Sequence, residues 1–391
     1  MRINPMTNPI TNQEQPAVLW VEKRQDFLNM ATHLQKERAI GVDLESDSLF
    51  HFPERVCLLQ ISTPLQSFLV DPLALEDLSP LGHVFSDSKI RKVFHGADYD
   101  IRSLDRDFGI RIHSLFDTQV AARFLGIRET GLASLLKARL GVGIEKKYQK
   151  KDWSQRPLPD PMIAYAAEDS RHLIALAGGL EEGLIAKGRI SWVENECLLQ
   201  SKVRHMPPGR DPLFLKFKGA GKLSRRGLAV LEAILKFRED MARQRHRPPF
   251  KILANEPIME MAEKRPKTKS GLKAIKGFSS RQINTLGDSL LSKIGEALSL
   301  PDESLPVYPL KKRKSFDPEV SKRIKVLKKW RSRRALELDL DQALVCNNAQ
   351  ILSLSLADPK KPRDLRGVVE IKDWQRKVFG DEICALLKAL V

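Results

Sequence analysis

The sequence predicts an α/β domain, a mixed sheet flanked by helices, followed by two all-α units. Three observations carry this. Strand-like and helix-like runs alternate from residue 17 to about 205, strand signals vanish after Leu223, and a Pro-rich stretch at 300–319 cuts the remaining helical region in two. The expected boundaries are a disordered polar tail at 1–16, the α/β domain at 17–205, a linker at 206–221, helical units at 222–299 and 317–391, and a linker at 300–316 between them.

AVLWV reads as a strand, followed by an amphipathic helix with Phe27, Leu28, Met30, Ala31 and Leu34 on its apolar face. ERAIGVDLES, VCLLQIST and SFLVD read as three strands joined by short polar turns, a pattern that suits an antiparallel meander. LSPLGHVFSDS is a helix, and IRKVFHG a short strand entering a helix near Asp98. HSLFDTQVAARFLG, GLASLLKARLG and the long PMIAYAAEDSRHLIALAGGLEEGLIAKG continue as helices, the last with Pro161 at its start. The two helical units look like a divergent repeat. Each runs from a basic helix through an aromatic–Arg pair (Phe237-Arg238, Trp330-Arg331) and a loop to a second helix.

With 42% hydrophobic and 29% charged residues, the 391-residue chain is a globular mixture. No apolar run approaches the ~18–20 residues that span a bilayer, and the first residues lack the apolar core of a secretory signal. Cys57, Cys197, Cys346 and Cys384 form no CxxC pair, which argues against a zinc knuckle or a disulfide framework and suits a cytoplasmic location. The net charge of +17 is uneven: residues 1–200 carry 24 Lys/Arg against 27 Asp/Glu, and residues 201–391 carry 42 against 22. The C-terminal half is therefore expected to bind a polyanion, with the cluster Lys311, Lys312, Arg313, Lys314 and the basic helix bearing Arg331 as candidate contacts. The N-terminal domain is expected to fold and act on short substrates without that half.

Asp43 and Glu45 in IGVDLES project from one face of a strand, where two carboxylates repel each other and lose hydration. A divalent cation between them removes both penalties. Asp100 enters at the start of the helix after VFHG, at the strand end where α/β sheets build sites, while Asp98 reads as a helix cap. Tyr165 and Asp169 are i and i+4 on one helix face, with small Ala166-Ala167 between them. Four carboxylates and a phenol lack the partners of a nucleophilic triad or a zinc site. They are the oxygen donors that hard cations take, and a pair of Mg²⁺ ions would serve at a phosphodiester.

GVDLES, VFHGADYDIRSL, LFDTQVAARFLG, KKDWSQRPLP and YAAEDSRHL resemble the three exonuclease motifs and intervening signatures of the DEDD superfamily, specifically the ribonuclease D family, over residues 17 to about 205. The helical units resemble tandem HRDC domains. The resemblance implies an RNase H-like exonuclease fold and a 3′–5′ exoribonuclease releasing nucleoside 5′-monophosphates. It implies Asp43, Glu45, Asp100 and Asp169 as ligands of two Mg²⁺ ions (Mn²⁺ as an alternative), with Asp43 bridging both. Tyr165 would orient the attacking water. Ala164 stands where the sister subgroup carries His, which places the chain in the Tyr-type subgroup, and Leu44 stands where bacterial members commonly have Thr. Asp117 is expected to act in structure or substrate positioning rather than as a ligand, and His95 in packing or on the substrate side. The partners implied are tRNA precursors and other structured RNAs with single-stranded 3′ tails, handled by a monomer away from membranes. A Werner-type DNA exonuclease and a non-catalytic RNA-binding adaptor are the alternatives.

Overall fold

The computed structural model describes residues 17–145, 147–207, 209–309 and 317–390. The tail at 1–16 and the Lys311–Lys314 cluster lie outside them. The strands are β1 (Ala17–Val21), β2 (Ala39–Ser46), β3 (Val56–Ser62), β4 (Gln66–Val70), β5 (Arg91–Phe94) and β6 (Leu115–Asp117). They form one sheet in the order β1-β4-β3-β2-β5-β6. β1 runs parallel to β4, β3 antiparallel to β4, and β5 parallel to both β2 and β6, so the sheet is mixed. All seven residues of β3, VCLLQIS, are buried, as expected of a central strand covered on both faces. The helices around the sheet are α1 (Arg24–Leu34), α2 (Ser79–Ser86), α3 (Asp98–Phe108), α4 (Thr118–Phe124), α5 (Leu132–Leu140), α6 (Asp160–Arg171), α7 (Leu173–Ala186) and α8 (Ile190–Gln200).

Two local readings change. LFD, expected within a helix, is β6, because three residues are too few to show alternation and the parallel pairing with β5 decides their conformation. The long helical stretch breaks at His172 into α6 and α7.

The chain divides into two compact units: one of residues up to Glu45, Val56–His205 and from Asp317 onward, the other of Ser46–Arg55 and Met206–Phe316. In the first unit the sheet domain shares a core with the last helices, α14 (Pro318–Leu338), α15 (Gln342–Val345), α16 (Asn348–Ala357) and α17 (Asp373–Lys388). Trp192 of α8 stacks on Trp374 of α17 with centroids 4.9 Å apart, and Phe124 meets Trp374 edge-on at 5.4 Å. Glu196 accepts from Trp374 Nε1 at 2.8 Å and pairs with Lys372, while Arg189 donates to the carbonyls of Phe124 and Leu338. The sheet domain and the last helices thus share one core, where the sequence reading expects a separate N-terminal domain. The aromatic residues that close its core come from residues beyond 316.

The second unit packs α9 (Arg225–Gln244), α10 (Pro249–Ile252), α11 (Asn255–Lys264), α12 (Lys269–Lys273) and α13 (Ser280–Leu298) around one core. Part of the stretch read as a linker belongs to this core, with Phe214 buried in it. So does the connection between β2 and β3. Rather than a short polar turn, residues 46–55 form a loop whose Phe52 packs against the helices. Buried Asp47 closes the base of this loop, accepting from the Arg55 backbone N–H at 2.8 Å and its Nε at 3.2 Å.

The repeat holds residue by residue at a spacing of 93. Arg238 donates to Leu253 O and Asn255 Oδ1, and Arg331 to Cys346 O and Asn348 Oδ1. Gln282 reaches Ile252 O, and Gln375 reaches Val345 O. His246 and Asp339 both adopt positive φ (50° and 51°), as do Arg265 and Asp358 (52° and 46°). Arg331, a candidate RNA contact in the sequence, has its Nη1 held in the clasp that also builds the first copy.

Candidate active site

β2 lies at the middle of the sheet and carries Asp43 and Glu45 on one face, while Ile40, Val42 and Leu44 are buried. Gly41 shares the face of Asp43 and Glu45. A Cβ there would stand 2.5 Å from the carbonyl oxygen of Ser170 and 3.2 Å from Leu173 Cβ. The α6–α7 junction thus rests directly on β2, and this close approach delivers Asp169, the neighbour of Ser170, to the carboxylate face. Ser170 Oγ also bonds Ser62 Oγ of β3 at 2.7 Å, which fixes the height of α6 over the sheet.

Asp100 sits in the first turn of α3 and is buried. Asp98 is not the cap expected of it. The N-cap is Ala97, and Asp98 pairs with Arg102 at 2.9 Å. The loop that launches α3 is held by Asp117 instead. Its fully buried carboxylate accepts from the backbone N–H groups of Gly96 (2.9 Å) and Ala97 (2.8 Å), caps α4 through Gln119 and Val120, and accepts from Gln200 Nε2 at 3.0 Å. That set uses its lone pairs on protein donors, in keeping with a positioning role and not a ligand role. Gly96 has φ of 75°, in the left-handed region that favours glycine, and so lets the chain turn onto Asp117. His95 Nδ1 pairs with the Thr118 hydroxyl at 2.9 Å, and burial lowers its pKa, so it packs as a neutral ring.

The structure brings the four carboxyls into electrostatic reach of one another. Burial pushes Asp43 to about 6. Glu45 is raised to about 10, first by burial and then by the charges of Asp43, Asp169 and Asp100. Asp169 is raised to about 8 by burial and by Asp43, partly offset by a hydrogen bond from Tyr165. Asp100 is held well above the usual carboxylate range by burial, with Asp43 adding to it. Tyr165 is pushed upward by burial and by the charges of Asp169 and Glu45. At neutral pH it therefore remains a phenol, a hydrogen-bond donor and not a base.

Among the described residues, no three His, Cys, Asp or Glu side chains are drawn into a closed metal-binding group. The donor set nevertheless fits hard divalent cations. It is all carboxylate oxygen, and its raised pKa values measure a repulsion and desolvation that added positive charge relieves. Burial with like charge, gathered at one strand face, is also the usual mark of a functional site.

One supporting layer was not anticipated. The Tyr165 ring packs against Tyr148 (5.7 Å) and the fully buried Trp153 (6.1 Å). The loop bearing them is pinned by Arg156, which pairs with Asp71 through both Nε (2.6 Å) and Nη2 (2.7 Å) and donates to the carbonyls of Trp153 and Cys57. The sequence signal was present in KKDWSQRPLP, but nothing local says that a tryptophan twelve residues before Tyr165 will wall it in.

Comparison with known proteins agrees with this architecture. Residues 18–185 match the family model described as 3′-5′ exonuclease, and residues 227–294 and 321–387 each match the HRDC domain. The chain is 30% identical to ribonuclease D of Gluconacetobacter diazotrophicus over 95% of its own length and 93% of that protein's. It is 28% identical to ribonuclease D of Pseudomonas paraeruginosa over 96% and 98%. Among solved structures, the catalytic core of RRP6 from Trypanosoma brucei superposes with a TM-score of 0.66 at 30% identity, covering 73% of this chain and 80% of that one. Escherichia coli RNase D shares the fold at a TM-score of 0.72 and 23% identity over 95% and 99%. A sheet domain with buried carboxylates, two HRDC repeats and relatives matched end to end make this chain a 3′–5′ exoribonuclease of the ribonuclease D family.

Proposed function

We propose that the chain trims structured RNAs bearing short single-stranded 3′ tails, tRNA precursors foremost, releasing nucleoside 5′-monophosphates. Asp43, Glu45, Asp100 and Asp169 would hold two divalent cations, Mg²⁺ or Mn²⁺, which when bound supply the positive charge that screens the reacting phosphodiester and lowers the pKa of water. The observation that carries this reading is the gathering of four carboxyls on one face of β2 and the ends of α3 and α6, where burial first, and for Glu45, Asp100 and Asp169 neighbouring carboxylates next, raise their pKa values.

The protein's own part is positioning. Tyr165, kept protonated, donates to Asp169 and stands ready to orient a water beside it. Asp117 holds the turn that sets Asp100, and Gly41 admits the helix that sets Asp169.

Incubating the purified chain with 3′-tailed tRNA and with single-stranded DNA, in Mg²⁺, Mn²⁺ or EDTA, tests the reading. Release of 5′-monophosphates from RNA that EDTA abolishes is expected. Hydrolysis that persists in EDTA would overturn the cation assignment, and a preference for DNA would overturn the substrate.

A further inference from the structure

The excess positive charge is not shared equally between the two helical repeats. Residues 206–316 carry 24 Lys/Arg against 11 Asp/Glu, and residues 317–391 carry 16 against 11. In the second repeat the arginines of the basic helix are paired internally, with Arg323 on Asp358, Arg331 in its clasp, and Arg333 and Arg334 on Glu382, while Lys325, Lys328 and Lys329 are exposed. In the first repeat, arginines without partners sit on the turn from α9 to α10. Arg245 and Arg247 are exposed, and their side chains make no ion pair or hydrogen bond among the described residues.

Aromatic side chains belong to the same unit, on the residues that follow this turn and on the loop at 46–55. Phe250 is 54% exposed and Leu49 41% exposed. Lys251 Nζ stands 4.3 Å from the centroid of the half-buried Phe50 ring, and the Arg243 guanidinium 5.6 Å from that of Phe52. Phe50 and Phe52 belong to the loop closed by Asp47 and Arg55, so the rings are presented on a rigid base. That loop is continuous with β2.

Unpaired cations interleaved with exposed aromatic faces are what a single-stranded nucleic acid uses, with phosphates on the cations and bases stacked on the rings. A protein partner would satisfy the apolar area but would leave two forks of positive charge without acceptors. We propose that Phe250, Arg245, Arg247 and Lys251 form a stacking platform for the single strand of an RNA substrate. This rests on the ribonuclease reading above and adds a subsite to it.

The test is fluorescence anisotropy of a short labelled oligoadenylate with the full chain in EDTA, across a salt series. Phe250→Ala is expected to weaken binding by about fivefold or more, the lower range for one lost base stack. The double variant Arg245→Gln with Arg247→Gln is expected to flatten the slope of log affinity against log salt by about 1.4, since each single-strand phosphate contact contributes about 0.7. Lys293→Gln removes one charge that is already paired with Glu296, and its slope should stay with that of the unaltered chain. Because Phe250, Arg245 and Arg247 are exposed, thermal melts of these variants should match the unaltered chain, which separates lost binding from lost fold. Unchanged affinity for Phe250→Ala, or a slope that moves equally for Lys293→Gln, overturns the platform. Failure of the unaltered chain to hydrolyse RNA in Mg²⁺ overturns the nuclease reading instead, and the anisotropy result stands apart from it.

Discussion

Ionised Asp43 is expensive because burial, not a partner, sets its pKa near 6. Asp43→Asn keeps the volume and removes the charge, so RNA hydrolysis should fall by more than about tenfold while the melting temperature in EDTA holds or rises. Activity above a tenth of the unaltered rate, a loss of only about 1.4 kcal/mol, would rule out its role as a cation ligand. Tyr165→Phe removes an orienting hydroxyl but no charge, so its loss of turnover should be smaller than that of Asp43→Asn, and an unchanged rate would reduce Tyr165 to a core residue. The same groups set a pH dependence. Folding raises the pKa values of Asp43 and Asp169 from 3.8 to about 6 and about 8. The stability this linkage contributes is full below their ordinary range and is lost as pH rises through the raised values. Metal-free protein should therefore lose melting temperature between about pH 5 and 8, and Mg²⁺ should restore it by binding the folded state. A melting temperature that is flat over this range and indifferent to Mg²⁺ would contradict the reading.

At the scale of elements, the site depends on how closely α6 and α7 approach β2. Gly41→Ala puts a methyl 2.5 Å from a backbone oxygen that cannot swing aside. Overpacking of this kind costs about 1–3 kcal/mol. The helix can relieve it only by lifting, which carries Asp169 away from Asp43. Gly41→Ala should thus lower activity well beyond what its melting temperature suggests, as seen by comparing turnover with thermal melts. Asp117 acts likewise on the other flank. Its carboxylate holds two backbone N–H groups before α3 and two at the start of α4, so the placement of Asp100 is set some distance from Asp100 itself.

At the scale of the whole molecule, the last HRDC repeat completes the core of the exonuclease domain. Removing residues 317–391 uncovers Trp192 and Phe124, which otherwise pack on Trp374. The shortened chain should melt at a lower temperature and aggregate on heating. Trp374→Ala alone should cost about 3–5 kcal/mol, the range for a buried Trp or Phe truncated to Ala. A truncated chain that melts with the full one would show that the shared core carries no stability. In this protein the second repeat is a brace, whereas the larger excess of positive charge lies with the first.

Five of the six strands, the helices from Asp98 and Ser79, the candidate positions Asp43, Glu45, Asp100, Tyr165 and Asp169, and the repeat can be read from the sequence because each rests on short-range periodicity or on a motif a few residues long. The i, i+2 spacing puts Asp43 and Glu45 on one face whatever the fold, and i, i+4 does the same for Tyr165 and Asp169. What only the tertiary structure decided is longer in range. β6 exists because β5 pairs with it, not because LFD prefers a strand. Gly41 matters because Ser170, far along the chain, rests on it. The loop at 46–55 joins the first helical repeat, and the second repeat joins the sheet, because buried aromatic area outweighs the order of elements along the chain. Local spacing says which groups share a face. Which faces then meet depends on packing among residues hundreds of positions apart, and no pattern along the chain encodes that directly.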